Sequence, residues 1–349
     1  MRGLRFAALA ALATACGPLP PDDADATVPA STAEAIQAAR PMDRADRLAT
    51  TAPSARPAEE RKAEGGVAPL CPDDMVSVDT PFCPSIQRRC LDLEHDRINN
   101  IDICHAFAHE QSCRGREKRI AFCIDRYEYP NQKGAHPAWM IDWYQAQATC
   151  ESQGKRLCWS SEWTAACEGR AHTPFPYGYQ RNHDLCNMDN FFIEPKRPGP
   201  RAQFLFYSKN GAEARNELAR LDQSVPSGSL EGCKSDFGVY DMPGNVDEWV
   251  ISDEAPAEIS KWAGLKGGAW GHVRSQCRPM TYSHDPGFQY YFVGFRCCRD
   301  AAGAPRWKPS PAAIPPPAVE PRDFAPDPVP PIEPPPAPKA KFSRTGKTE

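Results

Sequence analysis

The sequence predicts one disulfide-rich globular domain of helices and short strands, held between two disordered tails. Prolines are concentrated at the two ends of the 349-residue chain, with 8 in residues 17–69 and 15 in residues 301–349. Such proline-rich stretches without an apolar period bury too little surface to offset the entropy lost on folding. Fourteen of the 15 cysteines lie between Cys71 and Cys298. The expected architecture is therefore one disulfide-bonded domain between these cysteines.

The first 15 residues are typical of an export signal. A basic tip and an apolar stretch of about ten residues lead to the small residues Ala13-Thr14-Ala15. The stretch is too short to cross a bilayer. A cysteine directly after such a site resembles a bacterial lipoprotein signal, so we expect a lipid on Cys16 that anchors the chain in the cell envelope, in the periplasm or at the outer membrane. An ordinary signal peptide cut nearby is the alternative.

The tails and the charge limit the possible partners. Residues 16–69 form a flexible linker with a root-mean-square span of roughly 40 Å, enough to hold the domain clear of the lipid surface. The proline-rich tail, residues 301–349, is expected to be a solvated coil, with polyproline II contacts to a partner as the alternative. The net charge is only -4, and no run of basic residues is interleaved with aromatic residues. We therefore expect no nucleic-acid partner.

Cysteine counting favours disulfides over reduced thiols. If Cys16 carries a lipid, fourteen cysteines remain and can pair completely as seven bridges. Cys297 and Cys298 are neighbours in an apparent strand, so their side chains point to opposite faces and should find different partners. The rest of the connectivity is open.

Local patterns predict several elements. Asp142 and Gln145 form a possible capping box at the start of a helix over residues 143–153. A second helix begins near Ser160 and ends at Gly169. A Cys-rich lead-in of loops, residues 70–119, precedes these helices. Further elements are a short helix within residues 212–221 and strands at residues 120–124, 237–241 and 294–298.

Four sequence blocks stand in order along the chain: Cys123-Ile-Asp-Arg-Tyr-Glu-Tyr129, Lys155-Arg-Leu-Cys-Trp-Ser-Ser-Glu-Trp163, Phe237-Gly-Val-Tyr-Asp-Met-Pro-Gly-Asn-Val-Asp-Glu-Trp249, and Lys266-Gly-Gly-Ala-Trp270 with Gly294-Phe-Arg-Cys297. Together they resemble the formylglycine-generating enzyme (sulfatase-modifying factor) family over residues 120–300. The resemblance implies an α+β, variant C-type-lectin-like fold with little regular secondary structure, in which Trp163, Trp249 and Trp270 are core anchors.

The residues that carry the family's oxidase activity are altered. Family enzymes use two cysteines five residues apart, after a Gly-Gly-Ser-Trp element, as thiolate ligands for Cu(I) and oxidise a substrate cysteine to formylglycine. Here Ala269 replaces the serine and His272 replaces the first cysteine, while Cys277 matches the second. A free Cys277 would leave an odd number of cysteines to pair, so we expect it in a disulfide. Copper and formylglycine chemistry are not expected.

The resemblance also implies calcium sites. By position, the first site would use the side chains of Asp241 and Glu248 with the carbonyls of Gly244 and Val246. A second site would begin at Asn187 with the carbonyl of Met188. The alternative is a turn whose carboxylates cap backbone amides.

The Cys-rich lead-in contains a pair of histidines at a spacing that metal sites can use. His105 and His109 lie four residues apart, and some relatives bind iron with a His-x-x-x-His-x-Glu motif. Here Glu110 follows the second histidine directly, and Cys104 and Cys113 flank the segment. We expect a stapled surface helix rather than a metal site.

These observations favour a lipid-anchored, extracytoplasmic module that binds a protein partner or a small ligand. One alternative is a copper-dependent oxidoreductase that uses His272 and Cys277. Another is a structural component of the envelope, held through its proline-rich tail.

Overall fold

A computed structural model describes residues 71–97, 100–196, 211–253, 262–271 and 273–304. The predicted signal peptide, the linker with Cys16, most of the proline-rich tail and His272 lie outside the described residues.

The first sheet is built around a strand that the sequence predicted. β1 (Met75–Phe82), β4 (Lys118–Asp125), β10 (Cys297–Asp300) and β5 (Arg156–Leu157) pair in the order β1-β4-β10-β5. All three pairings are antiparallel. β4 contains residues 120–124, and its Ile120, Phe122 and Ile124 are buried in the main core.

A second sheet is buried on both faces. β6 (Asp247–Ile251), β7 (Ala263–Lys266), β8 (Met280–Thr281) and β9 (Val293–Phe295) pair in the order β8-β7-β6-β9. Every residue of β6, β7 and β9 is buried. β6 runs parallel to β9, whereas the other pairings are antiparallel.

The predicted helices form as the capping patterns indicate. α1 spans Trp143–Ser152, and the Asp142 side chain accepts a hydrogen bond from the Gln145 amide while Gln145 caps Asp142 in return. α2 spans Ser160–Glu168 and is followed by Gly169. Asp253 accepts hydrogen bonds from the Ser161 amide and from both serine hydroxyls at the start of α2. α3 spans Gly211–Leu221. None of the described helices is long and apolar enough to cross a membrane.

A long hairpin replaces the loops predicted for the Cys-rich lead-in. β2 (Ser85–Asp96) and β3 (Ile101–Arg114) form a two-stranded antiparallel ribbon. The prediction of a surface helix at His105 and His109 is therefore wrong, because this segment is part of β3. Its bulges interrupt the alternation of period two that would have marked a strand.

Two other expected strands differ from the structure. Residues 237–241 do not form a strand; Gly238 among them has a φ of +87°, and the segment contributes only an isolated bridge between Lys234 and Tyr240. Residues 294–298 are shared between β9 and β10, which belong to different sheets and meet at Arg296. A single buried residue therefore marks the passage from one sheet to the other.

All fourteen described cysteines are bonded, as the parity argument predicted. Cys297 bonds to Cys150 of α1, and Cys298 bonds to Cys158 beside α2, so the two neighbours have different partners. These two bridges fix β10 to both helical segments. The other five pairs are Cys71–Cys123, Cys83–Cys113, Cys90–Cys104, Cys167–Cys277 and Cys186–Cys233.

Candidate functional site

The predicted site begins at a glycine turn that follows β7. Gly267 and Gly268 have φ values of +93° and +64°. A Cβ atom at Gly267 would lie 2.5 Å from the Met242 carbonyl oxygen, and one at Gly268 would lie 2.3 Å from the Val273 oxygen. Both positions therefore require glycine. The turn brings Trp270 into a buried cluster, with half-buried Ala269 packed against it.

The three tryptophans expected to anchor the core are buried. The Trp163 indole donates to Glu248 at 2.8 Å, and the Trp249 indole donates to the Ile141 carbonyl at 2.8 Å. Trp270 is 4% exposed and packs edge to face against Phe292. These three tryptophans are therefore part of the core, as expected.

Cys277 is part of a disulfide, as predicted. It bonds to Cys167 of α2, and neither residue is exposed to solvent. The Cys277 amide also donates to the Pro174 carbonyl at 3.0 Å. In this state the sulfur is not a thiolate, so it has no charge with which to bind Cu(I).

A buried carboxylate with two arginines lies beside this disulfide. Glu168, next to Cys167, accepts hydrogen bonds from Arg278 at 2.6 and 2.8 Å and from Arg88 at 2.6 Å. Burial alone would raise the pKa of Glu168, but His172 at 3.8 Å and the two guanidinium groups outweigh it and lower the pKa to about 2. No sequence motif indicates this cluster, because its members are far apart in the chain.

Arg278 also fixes the wall of an open cleft next to the disulfide. Its guanidinium donates to the carbonyls of Cys83 and Pro84, which join β1 to β2. The cleft has a volume of about 430 Å³. It is lined by Pro84, Ser85, Ile86, Arg278, Pro279, Met280 and Tyr282.

The first predicted calcium segment lies in the protein interior. Both carboxylate oxygens of Glu248 accept hydrogen bonds from Arg296, each at 2.7 Å. The Asp241 carboxylate accepts one from the Gly228 amide at 2.6 Å, and burial raises the pKa of Asp241 to about 6. Gly244 and Val246 lie between them on a fully buried stretch.

Glu128 adds a third carboxylate that the sequence interpretation left without a role. Its Oε2 accepts hydrogen bonds from Ser227 at 2.7 Å and from Asn245 at 3.0 Å, whereas Oε1 is buried without a hydrogen-bond partner. Burial, together with nearby Asp241 and Glu248, raises the pKa of Glu128 well above its ordinary value. The carboxylates therefore outnumber Arg296, the cation between them.

The second predicted calcium segment packs directly against the first. The Asn187 carbonyl accepts a hydrogen bond from the Asn245 amide at 2.9 Å, and the Asn187 side chain donates to the Asn245 side chain at 3.0 Å. Met188 is fully buried. A Cβ at Gly244 would lie 2.3 Å from the Asn187 oxygen, which explains the glycine there.

The buried oxygen atoms of this region meet some of the requirements of a hard cation such as Ca²⁺, but not all of them. Buried carboxylates in excess of the positive charge, and an oxygen without a hydrogen bond, favour a divalent cation. Both oxygens of Glu248, however, are already bonded to Arg296. Among the residues that the structure describes, no group of three or more His, Cys, Asp or Glu side chains is arranged to hold a metal. Calcium stays a prediction.

The two histidines of β3 contact different partners. His105 bonds to Glu94 at 2.7 Å, and His109 stacks on Tyr179 at 4.3 Å between ring centroids.

Residues 107–301 match the sulfatase-modifying factor enzyme 1-like domain family, which covers more than half of the chain. The chain belongs to this family. Its fold is accordingly the C-type-lectin-like fold of formylglycine-generating enzymes, as the four sequence blocks implied.

Individual relatives are distant. The chain is 26% identical to the inactive C-alpha-formylglycine-generating enzyme 2 of Bos taurus over 50% of the chain and 54% of the relative. It is also 26% identical to the formylglycine-generating enzyme of Mus musculus over 47% and 44% of the two chains. The chain thus spans about half the length of these relatives. The crystal structure of CarF covers 66% of this chain and 98% of its own, with 16% identity and a TM-score of 0.39.

The Glu168 cluster gives a stability prediction. Glu168→Gln should lower the free energy of unfolding by about 3 kcal/mol, because it leaves two largely buried guanidinium groups without a counter-charge. Asp79→Asn is the matched control: half-buried Asp79 binds the exposed Arg119 through two hydrogen bonds, and its loss should cost much less because solvent screens this pair. Urea unfolding of both variants measures the difference.

The same cluster sets a pH dependence. Since the folded-state pKa of Glu168 is about 2, below its ordinary value of 4.5, its contribution is complete above that ordinary value and is lost as pH falls towards 2. The Glu168→Gln variant should lack this part of the acid sensitivity. Equal midpoints and equal pH profiles for the two variants would contradict the assignment.

Proposed function

We propose that this protein is a non-catalytic member of its family, a binding module that works outside the cytoplasm rather than a formylglycine-generating oxidase. The observation that carries this proposal is the Cys167–Cys277 disulfide. It consumes the one cysteine that matches the family's copper ligands. The sequence replaces the other ligand by His272 and the neighbouring serine by Ala269.

The physical reason is the loss of a soft, anionic ligand pair. Cu(I) is held by thiolates, and a disulfide sulfur carries no charge. One histidine without a partner thiolate would leave the ion weakly bound. The bovine relative, which is named inactive, supports a non-catalytic role, although the aligned region covers only about half of that protein.

An oxidoreductase that uses His272 and Cys277 is the competing function. It requires the Cys167–Cys277 bond to open, and this bond is fully buried beside the cluster of Glu168, Arg88 and Arg278. A thiol reductant would have to displace well-packed residues before it reached the sulfur.

We predict that the purified chain does not convert a cysteine-containing sulfatase peptide into a formylglycine peptide in the presence of Cu(I) and oxygen. With Cys16 replaced by serine, the unfolded, unreduced chain should contain no free thiol, and adding Cys277→Ala should expose one, at Cys167. Mass spectrometry measures the peptide aldehyde, and alkylation counts the thiols.

A double variant provides the matched control. Cys167→Ser with His272→Cys frees Cys277 and supplies a second thiolate five residues away, so we expect it to bind Cu(I) where the parent chain does not. Formylglycine produced by the parent chain, or a free thiol at Cys277, would contradict the proposal.

The disulfides support a location outside the cytoplasm, because such bridges persist in oxidising compartments. We further propose that a lipid on Cys16 tethers the domain to the bacterial envelope. The signal pattern before Cys16 is what supports this anchor.

Cys16→Ser should move the protein from the membrane fraction to the soluble periplasmic fraction, because no acyl chain can be attached. Fractionation with an antibody, and metabolic labelling with a fatty acid, measure the change. Thr14→Ser is the control and should remain in the membrane. An unlabelled parent chain would rule out the anchor.

The partner of the binding module is proposed to be an extracytoplasmic protein or small ligand. The cleft beside Arg278 provides a concave surface within the size range of small-molecule sites. The competing envelope-component function places the contact in the proline-rich tail instead. Deletion of residues 305–349 separates the two, because only the second function loses partner capture while the domain stays folded.

We propose calcium as a structural ion of the segment from Asp241 to Glu248. Calcium at 10 mM should raise the thermal midpoint of the parent chain by about 5 °C relative to EDTA, since a ligand that binds only the folded state stabilises it. Asp241→Asn should abolish the rise. Asp247→Asn, at an equally buried neighbour, should keep it. An unchanged midpoint in the parent chain would exclude this site.

A further inference from the structure

The outer edge of β2 is open in the described part of the molecule. β2 pairs only with β3, and the other edge of β3 is covered by residues 179–181. The strand is 12 residues long and contains no proline. Natural proteins protect such edges because a long, open strand is a template for pairing with another chain.

The exposed face of β2 has an unusual composition for a solvated ribbon. Burial alternates strictly along the strand, so its bulges leave the side-chain alternation of the outer edge intact. Leu91 and Leu93 are 56% and 59% exposed and lie two residues apart on this face. Among the described residues, only Phe191 and Phe192 are other large apolar side chains with comparable exposure.

The charges that flank the two leucines are complementary to one another. Arg89 precedes them and is 70% exposed, with only a distant contact of 3.8 Å to Glu110. His95 follows them and bonds to Asp102 of β3 at 2.8 Å. Along the strand, the exposed face therefore presents a cation, two leucines and a histidine–carboxylate pair.

We propose that β2 pairs with β2 of a second copy of this chain. A twofold axis perpendicular to the ribbon runs the second strand antiparallel and keeps both exposed faces on the same side. Leu91 of one copy then lies opposite Leu93 of the other. Arg89 reaches the His95 and Asp102 pair of the second copy. The two hairpins become one four-stranded sheet.

On the other, half-buried face of the ribbon, the same register brings Asp92 of the two copies opposite one another. These like charges oppose the pairing, so the leucine contact and the Arg89 ion pairs have to outweigh their repulsion. The Cys90–Cys104 disulfide crosses the hairpin next to Leu91 and holds the strand in place before the second copy arrives. Such preorganisation lowers the entropic cost of association.

The test is the mass of the full chain in solution, carrying Cys16→Ser so that no lipid drives association. Sedimentation equilibrium from about 1 to about 100 µM should give twice the mass of one chain at the upper end. Leu91→Glu and Leu93→Glu should each raise the dissociation constant at least about tenfold, because they place a carboxylate in the apolar contact. Phe192→Glu, at an exposed site away from the ribbon, should leave it unchanged.

A charge exchange tests the register independently. Arg89→Glu should weaken the dimer, and adding Asp102→Arg to the same chain should restore it, since the two positions meet only across the twofold axis. Unchanged thermal midpoints and thiol counts show that the variants are folded. A monomer at every concentration, which is the result expected if the edge of β2 serves a different protein, overturns the dimer. So does a dimer that survives both leucine substitutions.

Discussion

The buried ion pair between Arg296 and Glu248 joins the two sheets, and much of the fold is arranged around it. Arg296 lies between β9 and β10, while Glu248 belongs to β6 of the second sheet. The guanidinium also donates to the carbonyl of Tyr240, and the Trp163 indole of α2 donates to the carboxylate. Neither charge has contact with solvent, so each depends on this network for its stability.

This network also explains why the interior near the candidate site is acidic. The charge of one arginine is shared by Glu248, Asp241 and Glu128, and the last of these retains an oxygen without a hydrogen bond. The proposed calcium would relieve that imbalance. The proposed loss of oxidase function involves a different region, the disulfide of Cys277, so a family member can keep its scaffold after its redox centre has gone.

The sequence predicted those parts of the fold that depend on local chemistry. The capping box at Asp142, the glycine stop after α2 and the different partners of Cys297 and Cys298 follow from short-range rules, and the structure confirms them. Connectivity could not be predicted, because Cys167 and Cys277 are 110 residues apart. The β3 strand was missed because its bulges break the alternation, and the histidine spacing favoured a helix instead. The Glu168 cluster forms only after three distant segments come together.

The two ends of the described domain lie side by side. Cys71 at its start and Ala304 at its end pack against the same small cluster, formed by Met75, Cys123 and Ala301. Cys71 is bonded to β4, and the chain leaves through β10, the neighbour of β4. A pulling force between the two termini therefore acts first on two neighbouring strands, β4 and β10.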